Sequence, residues 1–493
     1  MSGNLTADVV IVGTGLGGST LAYGLARHGI DVVLIERGDF LRPHSGSLIP
    51  IYKDKLGPGS VVGGPSKFYG AAMYRLRQVD FLGTETEHGP VFPWPITYSD
   101  LEPYYCEAEY LYKVHGSSEN DPTEPPRSRP WPHPPIPHQG PAREMVSRLS
   151  GSSGVPVSFI PRALDYDPAG NGCVLCRHCD AYYCPRDAKM DAEIAALRPA
   201  LETRSVKLLT NTECLRILVA PDERKVNGIR VRRDGVEFTI HAPVVVVSAG
   251  ITESPLLLWR SRTAKHPNGL ANSSGALGRN MGAHTHSWLL PLVSGVQKEE
   301  FHQKTFAINA FYDSAPGRPY RCGTIQAAGY MEAWLSYRAP LRPAIAALLR
   351  NSIQTFLMTE AFPSHDAGFE LSDKGARLLS QPAPSRKALA TLRRLGSELF
   401  RAAGYRVLTS RRAETDWHPV GTARMGADPS SSVIDSECRA HDVDGLYVVD
   451  ASSLPRAGAL NTGLTIAALA LRAANTIRQN VRQPAWAVAS ASR

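Results

Sequence analysis

Short apolar runs separated by a longer helical pattern open the chain. Residues 8–13 read as a buried strand, which turns at once into the helix-like residues 19–27. A second apolar run, residues 31–35, follows and ends at Glu36. Uninterrupted apolar runs are typical of strands that are covered on both faces, so the order strand, helix, strand predicts a β-α-β unit with parallel strands.

The same apolar texture returns in the middle and at the end of the chain. Strands are predicted at residues 206–210, 214–219, 226–231 and 236–240. The wholly apolar Val244–Val247 predicts a strand buried on both faces. Residues 446–449 and an amphipathic helix from about 462 to 479 repeat this style. The sheet that begins at residue 8 is therefore predicted to continue through these distant segments.

The segments in between have a different texture. Residues 282–417 mix strands and prolines with one clear helix, which runs from residue 385 to 403 and is stopped by Gly404. Residues 99–102 have the form of a capping box and predict the start of an aromatic helix. Residues 121–141 are rich in proline and predict an extended surface excursion or linker. These features predict a second domain.

Three glycines occupy the turn after the first strand, at the spacing that is typical of dinucleotide-binding turns. Gly13 permits the tight turn, Gly15 lets backbone approach a pyrophosphate, and Gly18 lets the helix pack on the strand. Glu36, with Arg37 beside it, ends the next strand, where a carboxylate can accept from both ribose hydroxyls. A glycine-rich turn also occurs in other α/β proteins, but the full context predicts a Rossmann-like site for NAD or FAD.

Composition and charge narrow the class of protein. The 493 residues are 43% hydrophobic and 20% charged, which excludes a disordered chain, collagen and a small disulfide scaffold. The net charge of +8 comes from dispersed basic residues, so a nucleic-acid partner is not expected. The polar start of the chain and the lack of about 20 consecutive apolar residues predict a cytoplasmic location with no membrane span.

Five ordered motifs resemble those of the GMC (glucose–methanol–choline) oxidoreductases. They lie at residues 62–70 with Arg75 and Asp80, 248–258, 277–284, 418–426 and 446–465. The resemblance implies an α/β fold in two domains. A Rossmann-like FAD-binding domain would comprise residues 1–95, 195–283 and 427–482. A second, α+β substrate-binding domain built on an antiparallel sheet would comprise residues 96–194 and 284–426.

The resemblance also implies which residues hold FAD. Besides the five fingerprint residues given above, the cofactor-binding positions are Gly63, Gly64, Ser66, Tyr69, Gly70, Cys214, Ala249, Asp450, Ala451, Asn461, Thr462 and Thr465. Some relatives attach the flavin covalently through a histidine near the second glycine segment. Here Phe68, Tyr69, Ala71 and Ala72 stand at that place. Non-covalent FAD is therefore expected.

His418 occupies the position of the family's catalytic histidine. Members of the family oxidise alcohols by passing a hydride to the flavin N5 atom, and a base must take the hydroxyl proton. An imidazole with a pKa near 6.5 suits that task, although a lone histidine could equally be a satisfied core residue. Asn461 fills the partner position, where an amide can hold the substrate oxygen but cannot take a proton. Asn461 could also cap the last helix.

Four of the eight cysteines, Cys173, Cys176, Cys179 and Cys184, crowd into residues 173–184. Thiolates so closely spaced can surround an iron–sulfur cluster or a zinc ion, although the last gap is one residue longer than in bacterial ferredoxins. Similar segments occur in GMC sugar dehydrogenases that pass electrons through an iron–sulfur centre. Free or disulfide-paired thiols in a packed lid are nevertheless favoured here over either metal.

The leading hypothesis is an FAD-dependent oxidase or dehydrogenase that acts on a hydroxyl of a sugar-like small molecule. The substrate would be a sugar, an amino sugar or aminoglycoside, or a glycoside, and the electron acceptor would be oxygen or an external carrier. The alternative is a lyase of the same fold that keeps FAD only as structure, because fold does not fix function.

Overall fold

The computed structural model describes residues 5–41, 60–86, 88–91, 93–177, 179–293, 301–315, 321–330 and 342–482, and all contacts given below lie within them. A five-stranded parallel sheet forms the first half of the fold. Its strands in spatial order are β22 (Leu446–Val448), β13 (Val244–Val247), β2 (Val9–Val12), β3 (Val32–Ile35) and β9 (Val206–Leu209). Every residue of β2, β3 and β13 is buried, as their apolar runs predicted.

Eight α-helices accompany the sheets in the described residues. They are α1 (Leu16–Ala26), α2 (Tyr98–Leu111), α3 (Gly140–Ser153), α4 (Arg198–Glu202), α5 (Gly250–Arg260), α6 (Arg342–Arg350), α7 (Arg386–Ala402) and α8 (Gly463–Arg482). A single π-helical turn, Glu193–Leu197, leads into α4. Helices α1 and α8 pack so closely that a Cβ on Gly24 would lie 2.7 Å from Cβ of Ala474. No helix of these described ranges is both long enough and apolar enough to cross a bilayer.

A second sheet flanks the parallel one. Its strands in spatial order are β1 (Leu5–Thr6), β12 (Val236–His241), β11 (Val226–Arg233) and β10 (Thr212–Val219). A turn at Asp234 and Gly235 joins β11 to β12, and both residues have positive φ. The three long strands are therefore an antiparallel meander.

The third sheet is antiparallel and has seven strands. Its spatial order is β20 (Val407–Thr409), β14 (Gly282–Pro291), β17 (Thr355–Ala361), β16 (Thr324–Ala327), β15 (Phe306–Ile308) and β7 (Ser158–Phe159), and β21 (Glu414–Val420) also pairs with β14. Helix α7 covers one face, where a Cβ on Gly396 would lie 2.8 Å from Ile325. The opposite face is lined by alternate residues of β14, namely His284, His286 and Trp288.

Three two-stranded sheets complete the fold. They are β4 (Thr84–Thr86) with β5 (Gly89–Val91), β6 (Val114–His115) with β8 (Arg162–Ala163), and β18 (Gly368–Ser372) with β19 (Gly375–Ser380). A Rossmann-like half and a half built on an antiparallel sheet confirm the predicted fold class. The domain boundaries stay a prediction.

One local prediction was wrong. Helix α2 begins two residues earlier than the pattern suggested, since its capping box is formed by Thr97 and Asp100. Glu102, predicted to close that box, instead pairs with the buried Arg75 at 3.0 Å. The proline-rich segment is irregular over residues 121–139 and mostly exposed or half-buried, as predicted for a surface excursion, and it is anchored at its start, where the carboxylate of Asp121 lies 2.7 Å from the guanidinium of Arg77.

Candidate active site

The glycine turn before α1 packs against the ends of two other strands and leaves one side open. Gly13 has φ +102°, and a Cβ on it would lie 2.4 Å from the Ser248 carbonyl oxygen. A Cβ on Gly18 would lie 2.0 Å from the Gly13 carbonyl oxygen, so helix and strand touch there. A Cβ on Gly15 would meet nothing within 4 Å. The amino end of α1 therefore faces open space, which fits a pyrophosphate.

A second pair of glycines lies directly against this turn. Gly63 and Gly64 both have left-handed φ, +88° and +55°. The Gly63 amide donates to the Thr14 hydroxyl at 3.1 Å, and a Cβ on Gly64 would lie 3.2 Å from Cα of Gly15. The two glycine segments, 50 residues apart in sequence, thus form one continuous backbone cradle that side chains would fill.

Glu36 is fixed at the end of β3 beside this cradle. Its carboxylate accepts from the Thr14 hydroxyl at 2.7 Å and from the Gly38 amide at 2.9 Å, and the residue is only 8% exposed. The Thr212 amide donates to the Glu36 carbonyl, which brings the start of β10, and with it Cys214, next to β3. Arg37 donates from Nε to Ser60 at 2.7 Å and pairs with Glu253 of α5 at 3.5 Å.

The side chains of Ser66 and Tyr69 fasten the second glycine segment to residues 188–194. Ser66 donates to the Gly63 carbonyl at 2.6 Å and accepts from the Ala192 amide at 3.0 Å. Tyr69 donates to the Met190 carbonyl at 2.5 Å. A Cβ on Gly70 would lie 1.4 Å from a carboxylate oxygen of Asp180, so only glycine fits there. These residues shape the cradle through their packing.

Asp450 ties the end of β22 to the start of α5. One of its oxygens accepts from the Gly250 amide at 2.8 Å and from Ser254, and the other accepts from the Ser452 amide and hydroxyl. Because each oxygen already accepts two hydrogen bonds, the Asp450 carboxylate positions Ala249 and Ala451 on either side of it.

The last of the predicted cofactor residues surround the amino end of α8. Thr462 is buried just before that helix. The hydroxyl of Thr465 lies 2.8 Å from the hydroxyl of Tyr105 on α2, so it is turned toward α2. The amino end of α8 follows Asn461 directly, and its backbone dipole places partial positive charge beside that amide.

The structure brings His418 and Asn461 together across 43 residues of sequence. Nε2 of His418 lies 3.5 Å from Nδ2 of Asn461. Oδ1 of Asn461 is buried and has no hydrogen-bond partner, so it is available to a donor from a bound molecule. His418 has φ +50°, a left-handed conformation that is costly for a residue with a side chain and is concentrated at functional sites.

A third residue, His284, was missing from the predicted site. Nδ1 of His284 lies 2.9 Å from Nδ1 of His418, and Nε2 of His284 lies 3.5 Å from the Ala457 carbonyl oxygen. A carbonyl can only accept, so Nε2 of His284 carries the hydrogen and its Nδ1 is an acceptor. Nδ1 of His418 must then donate, which leaves Nε2 of His418 as the acceptor of the 3.5 Å contact from Nδ2 of Asn461. His284 thereby selects the tautomer that can act as a base.

Burial keeps both imidazoles neutral. It lowers the pKa of His284 to about 4, because the charged ring would lose its hydration. Burial also lowers the pKa of His418 well below its ordinary value, and the nearby His284 and Lys304 lower it further. A neutral His418 at pH 7 can accept a proton.

The sheet face beyond these histidines is aromatic, with one unsatisfied amide. Trp288 pairs with Phe356 across β14 and β17, and Phe356 pairs with Gln326 across β17 and β16. Gln326 is fully buried, and neither Oε1 nor Nε2 has a hydrogen-bond partner. The buried ion pair of Lys304 with Asp180, at 2.9 Å, borders the same face, with the ammonium 5.3 Å from the Phe356 ring centre.

The cysteine segment packs beside this face through mixed contacts. Cys179 accepts from the Arg162 guanidinium at 3.2 Å, and burial raises the pKa of Cys173 to about 12. Within the described part of the chain, no three of the four sulfur atoms of residues 173–184 lie within 4.8 Å of one another. The arrangement gives no support to an iron–sulfur cluster.

Comparison with known proteins identifies the family. The chain matches the family described as GMC oxidoreductase over residues 52–286 and 370–470, and an NAD(P)-binding Rossmann-like domain over residues 11–51. It is 30% identical to 6'''-hydroxyparomomycin C oxidase of Streptomyces lividus, over 96% of this chain and 92% of that one. It is 28% identical to paromamine 6'-oxidase of Streptomyces fradiae, over 95% and 91% of the two chains.

More distant relatives agree. The fructose dehydrogenase large subunit of Gluconobacter japonicus is 26% identical over 97% of this chain and 99% of the relative. The crystal structure of pyridoxine 4-oxidase from Mesorbium loti superposes with a TM-score of 0.67 at 19% identity, covering 95% of this chain and 99% of that chain, which shows a shared fold. The chain is therefore an oxidoreductase of the GMC family, a family for which FAD is the implied cofactor.

Proposed function

We propose that this enzyme oxidises a hydroxyl of a polar, sugar-like small molecule to a carbonyl, with non-covalently bound FAD and with His418 as the base. The observation that carries the proposal is the geometry around His418. Its Nδ1 is engaged by His284, and its Nε2 is an acceptor that Nδ2 of Asn461 approaches at 3.5 Å. That arrangement is suited to a hydroxyl placed between a proton acceptor and a hydrogen-bond donor.

When bound, FAD supplies the hydride acceptor, the N5 atom of its isoalloxazine ring. His418 takes the hydroxyl proton at Nε2, because a hydride leaves an alkoxide carbon far more easily than it leaves a neutral carbinol. Asn461 donates from Nδ2 to the same substrate oxygen and so holds the developing negative charge. The protonated imidazole of His418 is stabilised by donating from Nδ1 to His284.

FAD fits the groups around the two glycine segments. Gly13, Gly15 and Gly18 would hold the pyrophosphate at the amino end of α1, with Gly63 and Gly64 as the facing wall. The carboxylate of Glu36 would accept hydrogen bonds from the ribose hydroxyls, since each carboxylate oxygen can accept from more than one donor. The Tyr69 hydroxyl is bonded to the Met190 carbonyl, and Phe68, Ala71 and Ala72 offer no nucleophile, which supports non-covalent binding.

A sugar-like substrate is supported by the buried amide of Gln326. Burying an amide without partners costs about 1–3 kcal/mol, so a ligand that supplies both a donor and an acceptor would recover that free energy. Adjacent hydroxyls of a sugar ring supply both. The aromatic rings of Trp288, Phe356 and Trp417 provide flat apolar surface beside it, on which the C–H faces of a sugar ring can pack.

The test is anaerobic reduction of the flavin. Purified enzyme loaded with FAD is mixed with a panel of sugars, amino sugars and glycosides, and the flavin absorbance is followed. Bleaching by at least one member supports oxidation. Cleavage of a substrate without any bleaching would support the lyase alternative instead. Repeating the positive reaction with oxygen and with an artificial dye as acceptors separates an oxidase from a dehydrogenase.

A further inference from the structure

Three residues at the outer end of the antiparallel sheet form a cluster that the proposed reaction does not use. His286 lies on β14, two residues beyond His284 and on the same face, and its side chain is 1% exposed. Glu414 and Asp416 lie on the neighbouring β21, with side chains 31% and 56% exposed. This cluster, called here the acidic subsite, opens to solvent through its carboxylates.

The acidic subsite contains an unpaired acceptor. Nε2 of His286 lies 3.4 Å from a carboxylate oxygen of Glu414, and Nδ1 of His286 lies 3.7 Å from Asp416. Nδ1 is buried and has no hydrogen-bond partner. The shorter contact assigns an Nε2–H to Glu414, whereas the 3.7 Å from Nδ1 to Asp416 is too long for a hydrogen bond. Nδ1 and the carboxylate of Asp416 therefore face each other without a direct hydrogen bond between them.

Charge around the acidic subsite is unbalanced. Glu414 is paired with Arg412 at 2.8 Å. Within the described residues, Asp416 has no lysine or arginine within ion-pair distance. The ring of His286 is held flat against Trp417, with centroids 3.9 Å apart and an angle of 16°. A rigid acceptor and an uncompensated carboxylate together attract a cation that carries hydrogen-bond donors.

The geometry favours an ammonium group over a metal ion. The ring of His286 and the two carboxylates offer three ligand atoms within 4.8 Å of one another, but both oxygens of Glu414 already have partners, Arg412 at 2.8 Å and Nε2 of His286 at 3.4 Å. A metal ion would have to displace these partners in order to use Glu414 as a ligand. An ammonium has several N–H groups, so it can donate to Nδ1 and to Asp416 at once.

The acidic subsite lies next to the reacting position. Trp417, which stacks on His286, directly precedes His418, and its ring centre is 6.4 Å from that of His418. His286 also contributes to lowering the pKa of His418, which shows that the two rings are close. A molecule with its hydroxyl at His418 can therefore extend a second polar group to Asp416.

We infer that His286 and Asp416, with the ring of His286 oriented by Glu414, bind an ammonium group of the substrate, so that the substrate class is an amino sugar. The inference rests on the proposed function, because it places the ammonium and the reacting hydroxyl on one molecule. Glu414 acts as a positioning residue through its bond to His286.

The experiment compares one amino sugar with and without its charge. Paromamine and its fully N-acetylated derivative are offered to the FAD-loaded wild-type enzyme and to the Asp416→Asn variant, and kcat/KM for flavin reduction is measured. Asp366→Asn is the matched control, since Asp366 is a similar acidic residue with a side chain 97% exposed. Loss of the Asp416 charge should lower kcat/KM for paromamine at least tenfold and change the value for the acetylated derivative less than twofold.

The outcomes separate the two proposals. Equal losses with both compounds, or no loss with paromamine, would overturn the acidic subsite. Calorimetric titration of paromamine into wild type and Asp416→Asn supplies a readout without turnover. If no hydroxyl compound reduces the flavin, the proposed function fails, whereas tighter binding of paromamine to wild type than to Asp416→Asn would still support the subsite. Glu414→Gln should weaken paromamine binding less than Asp416→Asn does, because it keeps an acceptor for Nε2.

Discussion

Nδ1 of His284 lies 2.9 Å from Nδ1 of His418, so the two imidazoles share a single hydrogen between them. The remaining nitrogen of His284 is directed at the Ala457 carbonyl. The Ala457 carbonyl thus fixes which nitrogen of His284 carries the hydrogen, and His284 in turn fixes which nitrogen of His418, the proposed base, carries the hydrogen. The contact is made between β14, which carries His284, and the neighbouring antiparallel strand β21, which carries His418.

We expect His284→Ala to lower the rate of flavin reduction about 10- to 100-fold while FAD remains bound, because His418 can then adopt the wrong tautomer. His284→Asn should recover part of the loss, since its amide oxygen can accept from Nδ1 of His418. Stopped-flow reduction at a range of pH values measures both effects. Equal rates for the alanine and asparagine variants would argue against a tautomer-selecting role.

The acid limb of the pH profile should move toward pH 6.5 in His284→Ala, because loss of this neighbour removes one cause of the lowered pKa of His418.

Replacing His418 with Ala should reduce the rate of flavin reduction by several orders of magnitude, because among the described residues it is the one ionisable side chain that forms a hydrogen bond with Asn461. The flavin spectrum should be retained, since the hydrogen bonds of the His418 side chain are with His284 and Asn461 and not with either glycine segment. His365→Ala is a suitable control, as its side chain is 74% exposed. An unchanged rate in His418→Ala would reject the assignment of the base.

Gln326→Leu should raise KM for a sugar-like substrate about 10-fold and leave the reduction rate at saturation within a few-fold of wild type. The leucine removes both partners that the ligand hydroxyls would use, and it also removes a buried unsatisfied amide. Thermal unfolding of the unliganded variant should therefore occur at the same temperature as wild type or higher. A drop in kcat with unchanged KM would place Gln326 outside the substrate contacts.

Stability should fall when the pH is lowered from about 6.5 toward 4. Burial lowers the pKa of His284 to about 4 and that of His302 to about 3, whereas the unfolded chain takes up these protons near pH 6.5. Between these values the unfolded state binds more protons, so each histidine destabilises the fold by roughly 1 kcal/mol per pH unit.

Urea unfolding at pH 7.5 and pH 5 measures this slope. Burial raises the pKa of Asp80 to about 6, which acts in the opposite direction, so a variant is needed to isolate the histidine contribution. His302→Gln cannot titrate and should lose less stability than wild type over the same pH interval. Identical pH dependence of the two proteins would show that His302 is already protonated in the fold.

The parallel sheet could be predicted because its strands are unbroken apolar runs, and such runs have few alternatives to burial on both faces. The glycine fingerprint could be predicted for a similar reason, since Gly13 and Gly18 have no room for a Cβ. The role of His284 could not be predicted from the sequence. Alternation along a strand shows which residues share a face, but His284 and His418 are 134 residues apart, and no local pattern states that they meet.

The error at Glu102 has the same origin. A serine followed three residues later by a glutamate satisfies the local rule for a helix start, and the preceding Thr97 and Asp100 satisfy it as well. In the structure Thr97 caps the helix, and Glu102 pairs with the buried Arg75, which also pairs with Glu109. The contact between Glu102 and Arg75 spans 27 residues, so no local pattern indicates it.

The parallel sheet receives its edge strand, β22, from the last tenth of the chain, whereas its central strand, β2, is among the first residues made. A ribosome therefore releases Gly13 and Glu36 long before Asn461 exists, and a nascent chain cannot bring together the proposed catalytic pair of His418 and Asn461 until synthesis is almost finished. Any truncation ahead of β22 yields a protein with an exposed apolar sheet edge and no reaction centre. Such a product is a substrate for chaperones and proteases rather than a slower enzyme.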